Sequence, residues 1–235
     1  MTQFRALLLM SSVCLIVLGV FDPSGSHQAA AVEPSDTLLY VPIAASGYCG
    51  AFYDTFDDPD VGWFSGTMDG VQAKVTAGEY RLTFTQSGLV WFVAGPMCAH
   101  RTYRVAVDAR WVGTPGNFIG LLFEIEENPA RAYLFAVNTD ERMWLVFEVR
   151  NNSLNSIIPP TGNDAVLPGQ AFNRLAVERL GDGITLSVNG VAVGQLTGVT
   201  PAATPVLAGV GAATYTTQQA ADARFDNFLF ESIRE

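Results

Sequence analysis

Along most of the chain after residue 50, apolar and polar residues alternate with period two, which marks strands half-buried on one face. Gly78–Thr85, Thr102–Arg110, Phe118–Glu126, Ala132–Asn138 and Met143–Arg150 are predicted as strands on this pattern. Breaks fall at Pro115-Gly116, at Glu127-Asn128-Pro129 and at Thr139-Asp140-Glu141. From Asn173 to Leu196 two alternating runs are joined at Gly181-Asp182-Gly183 and followed by Asn189-Gly190. Asp-Gly and Asn-Gly supply the positive φ values that tight hairpin turns require, so this stretch is predicted as consecutive hairpins. Ala223–Phe228 closes the chain as a further strand. No stretch has helical periodicity. Ser153–Gly169, rich in Pro, Asn and Gly, is expected to be a long loop over one edge. Short, evenly spaced strands of this kind build a two-layer β-sandwich.

The N-terminus departs from this pattern. Arg5 precedes a continuous apolar run, Ala6 to Phe21, and small residues follow up to Ala29-Ala30-Ala31. A positive start, an apolar stretch and an A-x-A site form the layout of a secretory signal peptide. Residues 1–31 are therefore expected to be removed after Ala31, leaving a secreted or cell-surface protein. The run is shorter than the roughly 20 residues needed to span a bilayer, so no stable membrane insertion is expected after cleavage. Residues 32–50 are expected as a linker or tether, with an edge strand around Pro42 as the alternative. Residues 51–235 are expected as one domain.

Composition narrows the partners. The net charge is −10 and Lys74 is the only lysine. Nucleic acid and anionic membrane surfaces, which need clustered cations, are excluded as partners. With the signal peptide gone, Cys49 and Cys98 remain. In an exported protein they are a candidate disulfide, the alternative being two buried thiols.

Several motifs share an order with one known superfamily. Tyr53-Asp54-Thr55-Phe56-Asp57-Asp58-Pro59 with Gly62-Trp63 looks like its D-x-F-x-x-P-x-x-G-W opening. Tyr103–Arg110 and Gly120-Leu121-Leu122-Phe123 look like its central strands, and the Asn173–Gly190 hairpin precedes an Asp226-Asn227-Phe228 strand. On these residues the chain resembles the concanavalin A-like lectin/glucanase superfamily, in its branch of secreted laminin-G-like and 3-keto-disaccharide-hydrolase-like modules. The resemblance runs from about Cys49 to Phe230. It implies a jelly roll of two antiparallel sheets in which the first and last strands pair, with the Asp54 strand beside the Asp226 strand. It implies a carbohydrate or cell-surface glycan as partner.

The chemistry-bearing candidates follow. Glu124 and Glu126 stand two apart on one predicted strand, so they share a face at about 6.6 Å. Retaining glycosidases place two carboxyls about 5–5.5 Å apart. Glucanases of the superfamily carry E-x-D-x-E or E-x-D-x-x-E on such a strand; here the sequence is Glu124-Ile125-Glu126-Glu127-Asn128, and Asn128 occupies the second Glu position. Catalysis is accordingly not expected, with surface carboxylates beside a turn as the favoured reading. Carbohydrate recognition is the leading expectation. If Leu145, Phe147 and Val149 face the core, Trp144 and Glu148 face away and join Glu124, Arg131 and Tyr133 as a ligand-binding set. The alternative for Trp144 is burial. No cofactor is implied, except that relatives hold a structural calcium where first and last strands meet, which makes Asp54 and Asp226 candidate ligands. A glycoside hydrolase and a protein-interaction or adhesion module are the other two readings.

Overall fold

In the computed structural model, the described residues are 15–18, 33–41, 51–68, 70–85, 90–99, 101–113, 117–127, 130–150, 153–202, 206–214 and 221–233. For the first two segments, and for 90, 96–99, 127 and 130, the backbone alone is described. Among these residues there is no helix.

The strands form two sheets, one of eight strands, the larger by strand residues, and one of nine mostly shorter strands. In the larger, β7 (Val90–Ala99), β16 (Val206–Ala213), β9 (Phe118–Glu127), β10 (Ala130–Asn138), β11 (Met143–Arg150) and β12 (Ser153–Gly162) follow one another as antiparallel neighbours. Two N-terminal strands extend its β7 edge: β2 (Glu33–Val41) pairs parallel with β7, and β1 (Leu15–Leu18) pairs antiparallel with β2. These two lie inside the stretches expected as linker and signal peptide. In the smaller sheet the order is β15 (Val191–Leu196), β14 (Gly183–Val188), β13 (Asn173–Leu180), β8 (Tyr103–Val112), β17 (Ala221–Ser232), β6 (Glu79–Phe84), β5 (Val71–Thr76) and β4 (Gly66–Met68). The short β3 (Phe52–Asp54) adds to the far end of β17, with Phe228 opposite Asp54, so first and last strands of the domain pair as expected.

Local sequence accounts for the joints. Leu180 pairs with Gly183 across Gly181-Asp182, and Val188 with Val191 across Asn189-Gly190. Asn189 and Gly190 both have positive φ, 52° and 81°, as the predicted two-residue turn demands. The expected loop Ser153–Gly169 is instead a strand through Gly162: β12 pairs along β11 with register shifts, and its Pro159-Pro160 is accommodated because β12 is a mostly exposed strand with no hydrogen-bonded neighbour beyond it among the described residues.

Between the sheets lies one continuous core. Val105, Val107, Leu175, Val177, Phe225 and Phe230 from the smaller sheet face Leu121, Phe123, Phe135, Val146, Val210 and Trp91 from the larger. The larger sheet also buries its other face, where Phe92, Leu122, Leu134 and Leu145 form a second apolar cluster. Both faces of this sheet are thus apolar, unlike a sheet with one solvated side.

Candidate functional site

The expected ligand-binding set is mostly interior. Trp144 is 4% exposed and packs edge-on against Phe135 at 6.1 Å. Its ring lies so close to Gly194 of β15 that a Cβ there would collide with it. Trp144 and Val146 belong to the inter-sheet core, while Leu145 and Val149 belong to the second cluster, so the two faces of β11 are the reverse of those expected. The indole offers no stacking surface. Trp63, Trp91 and Trp111 are buried as well, so the core takes all four tryptophans of the chain.

Glu124 is also in the core. A register shift between β9 and β10 sets two residues of β9 against one of β10, and Glu124 takes φ = 50° there. Its Oε1 accepts hydrogen bonds from Tyr103 Oη at 2.8 Å and Arg179 Nη1 at 2.9 Å, and its Oε2 accepts from the backbone N–H of Ala202. Glu126 pairs with Arg131 at 2.9 Å. Both carboxylates of the expected pair are thereby engaged by an arginine, and Glu124 is closed off from solvent. Tyr133, stacked on Phe123, donates to Glu148 Oε1 at 3.3 Å, and the Arg131 guanidinium lies 6.0 Å from its ring. Burial, and next the Glu148 charge, push the Tyr133 hydroxyl above its ordinary pKa. Arg131, Tyr133 and Glu148 do come together, but around a ring that is 5% exposed.

Each carboxylate of the expected calcium pair, Asp54 and Asp226, accepts a hydrogen bond from the chain itself. Asp54 is a core residue whose Oδ1 caps the Phe56 N–H at 2.7 Å and whose Oδ2 accepts from Trp63 Nε1 at 2.8 Å. Asp226 follows the buried Phe225 and lies on the outer face of β17, opposite Asp108 of β8. Among the described residues no group of three or more His, Cys, Asp or Glu is arranged to hold a metal. The expected Cys49–Cys98 pairing lies outside the described residues, since Cys49 is not among them and only the backbone of Cys98 is described.

The outer face of the smaller sheet carries a different constellation. Tyr53 of β3 is 59% exposed and its hydroxyl donates to Asn227 Oδ1 at 2.6 Å. Asn227 Nδ2 donates to Asp108 Oδ2 at 2.9 Å, and Arg174 Nη1 donates to Asp108 Oδ1 at 3.3 Å and to the Asn227 carbonyl at 2.5 Å. Four strands (β3, β17, β8 and β13) thus supply one aromatic ring and three polar side chains. A bulge makes this possible. Asp226 pairs with Asp108 and Leu229 with Ala106, so Asn227 and Phe228 share the space opposite one residue. Asn227, at φ = 50°, turns outward beside Asp226 while Phe228 drops into the core.

Asp108 and Asp226 are like charges directly across the ladder, an unfavourable arrangement. The Asp226 carboxyl is raised above the usual range, first by desolvation and then by Asp108 and other acids, against the lowering bond from the Asn227 N–H. Beside this row, Arg81, Arg224 and Arg110 stand abreast on β6, β17 and β8, and all three reach Glu79. Arg110 also stacks over Phe172 at 4.5 Å. A surface with an exposed ring and partly open carboxylate, amide and guanidinium groups has the chemistry to stack a sugar ring and bind its hydroxyls. Sequence reasoning missed it because Tyr53 and Asn227 fall in motifs that mark the scaffold.

A scan against protein-family models and a search of curated proteins give no match. Solved structures do match. A sandwich of two sheets, antiparallel except for the β2–β7 pair, with the domain's first and last strands paired, defines the class, and the chain has the concanavalin A-like jelly-roll fold. It is similar to the Bacillus licheniformis β-glucanase (TM-score 0.58, 14% identity, 78% of this chain and 99% of that one). It is similar to a prokaryotic β-1,3-1,4-glucanase, or lichenase, from a mouse hindgut metagenome (0.58, 14%, 78% and 100%). An endo-acting O-glycanase of the human gut microbiota aligns at TM-score 0.60 and 12% identity, over 78% of this chain and 99% of that one. At these identities the likeness is one of fold.

Proposed function

We propose that this protein is an exported, non-catalytic module that binds carbohydrate on the outer face of its smaller sheet, at Tyr53, Asn227, Asp108 and Arg174. The observation that carries this reading is the exposed Tyr53 ring held by Asn227 inside a polar network from four strands. The ring would stack on the C–H face of a sugar, and the flanking groups would take its hydroxyls. The names of its fold neighbours concern β-glucans and O-glycans, which makes glycans the first ligands to try. A glycoside hydrolase, such as one of the 3-keto-disaccharide type, needs two carboxylates facing one open cleft. The burial of Glu124 in its ion pair weighs against that alternative.

A glycan array, followed by calorimetry on the best glycan, tests the proposal. Tyr53→Ala is expected to abolish binding while leaving the melting temperature within about a degree, because the side chain is largely exposed. Binding that survives Tyr53→Ala, or sugar released by the native protein and lost in Glu124→Gln, overturns it.

A further inference from the structure

The outer face of the smaller sheet carries its charges in bands. Lys74 of β5, Arg81 of β6, Arg224 of β17 and Arg110 of β8 are cross-strand partners, each directly opposite the next. Their neighbours along the strands, Ala73, Leu82, Ala223 and Ala109, belong to the inter-sheet core, so all four cations point outward. Four of the chain's 13 lysines and arginines thus stand in one row of a protein whose net charge is −10. Like charges directly opposite each other destabilise a sheet, and this row sets such pairs in succession.

Two carboxylates offset part of that cost. Glu79 accepts from Arg81, Arg224 and Arg110, and Asp222 accepts from Arg224. Each guanidinium has five N–H donors, and these acids take only one or two from each. Arg110 Nε and Arg224 Nε are buried without an acceptor among the described residues. Lys74 is exposed and has no acid partner among them. The row is therefore short of both negative charge and acceptors. Arg81, Arg110 and Arg224 keep 24%, 27% and 19% of their side chains open to solvent, so an anion can reach them. The next row toward Tyr53 is acidic, with Asp226 opposite Asp108. Asn227, which holds Tyr53, lies three residues from Arg224, about 10 Å at strand rise.

We propose, resting on the sugar reading, that this face takes an acidic glycan: the row from Lys74 to Arg110 holds the carboxylate or sulfate of one sugar, and Tyr53 stacks an uncharged sugar farther along. Guanidinium forks match the oxygens of such an anion, whereas a neutral glycan leaves them unpaired. Asp226 and Asp108 repel an anion from the Tyr53 end, which fixes the direction in which the ligand lies.

Calorimetry at low ionic strength compares two matched pairs of ligands. One is a hyaluronan hexasaccharide, alternating glucuronate and N-acetylglucosamine, against its carboxyl-reduced form; the other is dextran sulfate against dextran. In at least one pair the charged member is expected to bind tighter by roughly tenfold or more, as a few partly exposed ion pairs allow, and added salt should narrow the gap. Preference in the first pair alone assigns a carboxylate, in the second alone a sulfate, and in both the shared oxyanion. Lys74→Gln combined with Arg81→Gln should erase most of the gap while the melting transition and the affinity for the neutral form stay as in the native protein. Arg150→Gln, which removes an exposed cation from the other sheet, should leave the gap intact. A gap that survives the double substitution, or that Arg150→Gln narrows as much, overturns the proposal. So does polyglutamate binding as tightly as the charged glycans, which would make the row a site for acidic peptide. Equal affinity within both pairs, with binding lost in Tyr53→Ala, sinks the charge assignment and leaves the sugar reading standing; no binding of any of the four sugars sinks both.

Discussion

Arg179 Nη1 donates to Glu124 Oε1 at 2.9 Å across the middle of the sandwich, with side-chain exposures of 1% and 0%. Arg179 comes from β13 of the smaller sheet and Glu124 from the bulge of β9 in the larger one. Tyr103 of β8 donates to the same oxygen, and Ala202 fills the other. Arg179 Nε and Nη2 also donate to the Gly181 and Val199 carbonyls. Burial, and next the charge of Glu124, push the Tyr103 hydroxyl well above its ordinary pKa. The acid that sequence spacing offers to catalysis is a tie between sheets, saturated by donors.

Breaking that tie on one side strands a charge in the core. Arg179→Met is expected to destabilise by about 3–5 kcal/mol, and combining it with Glu124→Leu should recover much of the loss, because an apolar pair of similar size needs no desolvated charge. Urea midpoints at constant slope give both values and close a double-mutant cycle. A single Arg179→Met protein as stable as the native one would show that the pair contributes nothing.

Gly194 sits where Trp144 leaves no room for a side chain. Gly194→Ala is expected to cost about 1–3 kcal/mol through overpacking. Because all four tryptophans are buried, the native emission should be blue-shifted and resistant to iodide quenching. A quenchable, red-shifted component that disappears in Trp144→Phe would restore Trp144 as a surface residue.

The fold was legible because strands and turns are local signals. Alternation at Asn173–Leu180 and turn chemistry at Asn189-Gly190 report the backbone directly, and the paired first and last strands follow from the resemblance. Which face a residue takes was not legible on the larger sheet. Met143–Val149 is apolar at odd and even positions alike, since both faces of β11 are buried, so period two cannot say which is inside. Bulges defeat the same rule. Simple alternation after Ile119, Leu121 and Phe123 would aim Glu124 outward, and alternation after Phe225 would aim Asn227 inward; each is displaced by an extra residue that leaves no trace in composition. The candidate site at Tyr53 depends on one of those bulges, and for that reason it was invisible until the strands were paired.

Asp226 offers a pH signature. Its folded-state pKa lies above the unfolded value, so its contribution to stability is fully present below the unfolded carboxylate pKa and is lost as pH rises through the folded one. Asp226→Asn keeps an acceptor for the Asn227 N–H and removes the charge facing Asp108. The variant should melt higher than native at pH 7, and the gain should vanish as pH falls below the ordinary carboxylate range. Equal melting temperatures at pH 7, or a gain that persists in acid, would show that repulsion and desolvation at this row are negligible.

Asn227 separates backbone strain from recognition. Its φ of 50° suits Gly and Asn but penalises other residues by about 1–2 kcal/mol. Asn227→Gly should therefore stay close to native stability while losing the side-chain bonds to Tyr53 and Asp108, whereas Asn227→Ala should lose both those bonds and about 1 kcal/mol more. If the amide holds Tyr53 for a sugar, both variants should lose glycan affinity to the same extent despite their different melting temperatures. Affinity that follows stability, falling in Asn227→Ala and holding in Asn227→Gly, would mean that the bulge shapes the surface without the amide taking part. The two variants together distinguish a residue that positions the ring from one that only bends the strand.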